Sequence, residues 1–106
     1  MESLKKNAHV LKTMSSLKPR ALKEVIRDAK PELIKVFCDI CHNILRGNVK
    51  LSPVHRKRLT GHKHRLRALV KKSGSVKTKK RILQRGGLVG ALLSPILGLL
   101  SSFLGN

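Results

Sequence analysis

An all-α fold is predicted by three features of the 106-residue sequence. Apolar residues recur at helical spacing through most of the chain, Pro and Ser stand where helices would begin, and Gly stands where they would end. The length gives room for one small domain. The expectation is a small helical domain of about four to five short helices, followed by an apolar, helical C-terminal tail.

The first helix, near 3–16, sets Leu4, Ala8, Leu11 and Met14 on one side and lysines on the other. Pro19 introduces the second, near 20–29, with Leu22, Val25, Ile26 and Ala29 on its apolar side. The third, near 31–46, is the most apolar before the tail and is the expected centre of the core. In it Leu33, Phe37, Ile40 and Ile44 form one stripe, widened by Ile34, Cys38, Cys41 and Leu45. Glu32 in its first turn and Arg46 in its last complement the helix dipole, and Gly47 is placed for a left-handed cap. Ser52 caps and Pro53 opens the fourth, near 52–72, whose narrow seam is Leu59, Leu66, Leu69 and Val70. Gly61 weakens that helix by roughly 1 kcal/mol relative to Ala. Ser75 caps a last basic helix near 76–85. From Leu88 onward nothing is charged, and Gly90, Pro95 and Gly98 interrupt the run. The chain therefore divides into an amphipathic part (1–51), a strongly basic part (52–87) and an uncharged apolar tail (88–106).

The 24 Lys and Arg against 5 Asp and Glu leave a net charge of +19 and a pI of about 11.4. Such a balance belongs to proteins that neutralise polyanions, nucleic acid first among them. All the acids (Glu2, Glu24, Asp28, Glu32 and Asp39) precede Ile40, and the fifteen Lys and Arg after it have no acid among them. Ordinary solvated helices intersperse acids for pairing, so an acid-free run is read as a polyanion-binding surface. The candidate phosphate contacts are Arg56, Lys57, Arg58, Lys63, Arg65, Arg67, Lys71, Lys72, Lys77, Lys79, Lys80, Arg81 and Arg85. With two Phe and no Tyr or Trp, stacking on unpaired bases has little support. The histidines extend the basic face, gaining charge below a pH of roughly 6.5.

Cys38-x-x-Cys41-His42 copies a c-type haem attachment site, but it lies inside an apolar helix, where cysteines behave as small hydrophobes. A zinc set of Cys38, Cys41, His62 and His64 would place one residue between its histidines instead of three to five. Neither a metal nor a cofactor is expected. There is no G-x-S-x-G, no HExxH and no phosphate-binding Gly loop, so an enzyme is not expected either. The opening MESLKKNAHVLK lacks the apolar stretch of a signal peptide, and the expectation is a reducing compartment. Four readings of the tail stay open: a marginal membrane span, a core helix of the same domain, a membrane-active or interfacial segment, and a detachable extension.

The run KKRILQRGG followed by LVGALLSPILGLL resembles core protein X of adenoviruses, the precursor of the small DNA-condensing mu peptide. The stretch from Asn43 to Leu93 is also similar to proteins of adenovirus-like elements, the adintoviruses and Polinton-type transposons. The resemblance implies a minor virion core protein that binds and condenses double-stranded DNA without reading sequence. It implies a virion-core location, with the host nucleus as the place of assembly. It further implies a viral maturation protease that reads Gln84, Arg85, Gly86 and Gly87 and cuts before Leu88. Gln84 stands where that pattern has a bulky apolar residue, and Leu83 is one position earlier. Through residues 88–106 such a protein would meet the capsid interior or a membrane.

Two rivals accompany this expectation. In the first, the tail is a membrane effector and the basic helices recruit anionic lipid. In the second, residues 52–72 hold a recognition helix, although beyond arginines that segment offers only Thr60 and histidines as base readers.

Overall fold

The computed structural model describes residues 2–85 and 87–103, and the side chains of 4–85 and 87–100. The described residues form eight helices and no strand. They are α1 (Glu2–Lys6), α2 (Ala8–Ser15), α3 (Pro19–Asp28), α4 (Pro31–Leu45), α5 (Pro53–Thr60), α6 (Lys63–Leu69), α7 (Val76–Leu83) and α8 (Leu88–Phe103).

The all-α prediction holds, while the count of four to five helices was too coarse. Two long helices are each broken by one residue with non-helical backbone. Asn7, at φ −106°, divides the helix expected near 3–16. His62, at φ −109°, follows Gly61 and divides the one expected near 52–72. Asn favours local hydrogen bonding over helix, and Gly lowers the cost of leaving it, so both breaks fall at weak helix formers.

The capping chemistry follows the sequence more closely. Ser52 Oγ accepts from His55 N and Ser75 Oγ from Thr78 N, each at 3.2 Å. Gly47, at φ +76°, closes α4 with the paired bonds of a Schellman motif: its N–H donates to Ile44 O and that of Asn48 to Asn43 O.

The core draws on every helix, and its largest contribution comes from α8. Leu88, Val89, Ala91, Leu92, Leu93, Ile96 and Leu100 are all buried. They pack most extensively on α2 (Leu11, Met14), then on α5 (Leu59), with further contact to α1, α4 and α7. The tail is thus a core helix in this fold. Among the described residues no single helix is long and apolar enough to cross a membrane. On α4 the buried side is Ile34, Val36, Phe37, Ile40 and Cys41, so the stripe is rotated from the expected one and Leu45 stays 38% exposed.

A large aliphatic side chain contributes about 1.5–3 kcal/mol on burial. The α8 set together rivals the roughly 5–15 kcal/mol net stability of a small domain. Deleting residues 88–106 is expected to abolish cooperative thermal unfolding followed by far-UV circular dichroism. Leu92→Ala in the full chain is expected to cost about 2–5 kcal/mol in denaturant titrations.

Candidate nucleic-acid interface

The basic segment folds into three short helices that each turn one or two leucines inward and most of their cations outward. On α5 the inward residue is Leu59, on α6 Leu66 and Leu69, and on α7 Leu83. Of the sequence-predicted contacts, Arg56, Lys57, Arg58, Lys63, Arg67, Lys71, Lys72, Lys77, Arg81 and Arg85 are exposed. The Arg58 guanidinium lies against α8 at Gly90.

Three of the predicted set are half-buried and already engaged. The Arg65 guanidinium donates from Nη1 to His62 Nδ1 at 3.1 Å. The Lys79 stem lies against Gly74, and its ammonium is close enough to Cys38 to offset part of the upward push that burial gives that thiol. Lys80 Nζ donates to Arg27 O at 2.9 Å, a cation on the last turn of α3, where the helix dipole favours it. One turn further along α7, Gln84 Nε2 donates to Lys23 O at 3.0 Å. The two bonds descend α7 and climb α3, so these helices run antiparallel.

This pairing brings in a cation that sequence reasoning missed. Arg27 joins Lys77, Lys80 and Arg81 around an open groove of about 440 Å³. Some fifty residues separate Arg27 from α7, and no local pattern signals the contact. Fixed compensation is scarce: Arg27 and Asp28 sit 3.4 Å apart on an exposed surface. Such a pair contributes little in water.

The four residues proposed for processing are held differently. Gln84 is half-buried and bonded to α3, Arg85 is exposed, and Gly87 is exposed with φ +72°. Gly86 lies outside the described residues. Leu83 and Leu88, which flank the stretch, are buried. Among the described residues no three His, Cys, Asp or Glu side chains converge on a metal position, and Cys41 is buried with its thiol pushed well above its ordinary range.

No protein-family model, curated protein or solved structure matches this chain.

His62 carries the interface's electrostatic signature. Partial burial lowers its pKa from the ordinary 6.5, and the Arg65 and Arg58 charges lower it further. The fold therefore favours neutral imidazole. Its contribution to stability is complete above the unfolded value and is lost as pH falls through the lowered folded value. An NMR titration is expected to place His62 below 6.5, and Arg65→Gln to move it upward.

A protease that reads Gln84 to Gly87 in extended form meets a left-handed Gly87 and a buried Leu88. Access then tracks the fraction of molecules in which α8 has opened. Incubated with an adenovirus-type protease, the folded chain is expected to resist cleavage at Gly87–Leu88. Leu92→Ala is expected to speed cleavage by roughly tenfold or more.

Proposed function

We propose that this protein binds the phosphate backbone of double-stranded DNA without sequence preference and condenses it, as a minor virion core protein of the core protein X type. In that role it works in the virion core and, during assembly, in the host nucleus. The observation that carries the reading is the acid-free run of residues 53–85, which folds into α5, α6 and α7 and their connections, with its leucines inward and ten of its cations exposed.

Charge density supports it. The molecule measures 35 × 25 × 25 Å and carries a net +19. Duplex DNA presents one negative charge per about 1.7 Å of axis, so the length of one molecule faces roughly 20 phosphates. One chain thus balances the charge of about one helical turn. A condensing agent needs many exchangeable phosphate contacts and no base readout, which Lys and Arg on short helices supply.

The membrane-effector alternative draws less support, because the apolar side chains it would use are those of the α8 core. Maturation after Gly87, as part of the proposal, would act on a chain whose α8 has been released.

The test is binding of the full chain to random-sequence duplex across a salt series. Log affinity is expected to fall linearly with log salt at about −0.9 per phosphate contact. Arg67→Gln is expected to reduce that slope by about one contact without creating sequence preference. A flat salt response, or one favoured duplex among random ones, removes the proposal.

A further inference from the structure

A second surface combines charge with an apolar floor, which a phosphate backbone does not require. Where the chain turns from α4 into α5, an open groove of about 430 Å³ lies between the end of α4, the 47–51 turn, α5 and α6. Ile44, Leu51 and the 38% exposed Leu45 line it, above the buried Leu59 and Leu66. Its rim carries three exposed cations, Lys50, Arg56 and Lys63, and no acid among the described residues lines it.

The wall of the groove is formed in advance. The Schellman bonds of Gly47 and Asn48 fix the turn, with Asn48 Nδ2 donating to Asn43 Oδ1 at 3.1 Å. The cap of Ser52 fixes the start of α5 on the other side. A preformed groove spares a partner the cost of ordering it.

From this we infer that the groove docks an acidic, amphipathic segment of a partner protein, its apolar side chains on the leucine floor and its carboxylates on Lys50, Arg56 and Lys63. Charge complementarity selects this occupant. A second copy of the chain brings another +19 and carries its acids only within the first 39 residues. Duplex DNA brings charge without the aliphatic side chains that such a floor accepts. Arg56 and Lys63 also belong to the proposed DNA-contacting set, so the acidic segment and DNA compete for the same cations. The groove inference does not depend on the DNA reading being right.

The experiment uses the full chain and two fluorescent helical peptides of equal charge. One has Leu and Glu at amphipathic spacing, and in the other every Leu is replaced by Ser. At about 0.15 M salt, where exposed charges are screened beyond roughly 8 Å, the Leu peptide is expected to bind at least about tenfold more tightly. Leu45→Ser is expected to erase that difference, leave duplex affinity unchanged and keep the circular dichroism spectrum. Arg56→Gln is expected to weaken both peptide and duplex, and added duplex to displace the peptide.

Equal binding of the two peptides, or a Leu45→Ser variant that still discriminates between them, overturns the inference. Binding to phosphatidylserine vesicles that depends on Leu45, without discrimination between the peptides, overturns it in favour of a lipid contact. Duplex affinity is read separately, so its absence beside intact peptide discrimination defeats the DNA reading alone.

Discussion

Burial of α8 is the constraint on which the rest of this molecule depends. A chain of net charge +19 whose acids all lie in its first 39 residues has little ion pairing with which to offset its own repulsion. Its basic helices are also poor in apolar surface: α5 and α7 each bury one leucine and α6 two. None of these seams makes a core alone. The seams of α5 and α7 close on α8, which also packs on α1, α2 and α4, while α6 closes on α4 and α7. The absence of charge from Leu88 to Leu100 is what a helix surrounded by neighbours requires.

The elements were legible wherever a local rule decided them. Ser52, Ser75, Pro19, Pro31, Pro53 and Gly47 all mark boundaries in the sequence and in the structure, since caps and fixed φ values act within a turn. The breaks at Asn7 and His62 were less visible. Each depends on a balance of about 1 kcal/mol between continuing a helix and turning it toward the core. The tail was the least legible part, because composition says that a segment avoids water without saying which partner covers it. Rotation of the α4 stripe toward Val36 is the same effect on a smaller scale: the neighbours, not the periodicity, choose which apolar residues face inward.

The candidate interface divides in the same way. The cations between Arg56 and Arg85 could be read directly, because charge runs are local. Arg27 could not, since α3 meets α7 only through tertiary packing. Packing also withdraws cations: Lys80 spends part of its hydrogen-bonding capacity on Arg27 O, and Arg65 on His62. A count of Lys and Arg therefore overstates the phosphate contacts these helices can make at once, while the fold restores some from elsewhere in the chain.

Fold and proposed function pull on the same charges in opposite senses. In the free protein the surface cations repel one another and oppose compaction, and the α8 core must outweigh them. A polyanion lying across α5, α6 and α7 would remove that repulsion, and a ligand that binds the folded cations more tightly than the unfolded chain stabilises the fold by mass action. The strength of the core sets how far the protein relies on such a ligand to stay folded. Opening of α8 exposes the Gly87–Leu88 bond and the leucine seams together, because Leu83, Leu88 and Leu59 belong to the same core. A bound polyanion that holds the basic helices in place therefore also opposes release of the tail. Under the proposed function, DNA binding and access to the Gln84–Gly87 segment are coupled through α8 and, more directly, through Arg85, an exposed cation within the segment.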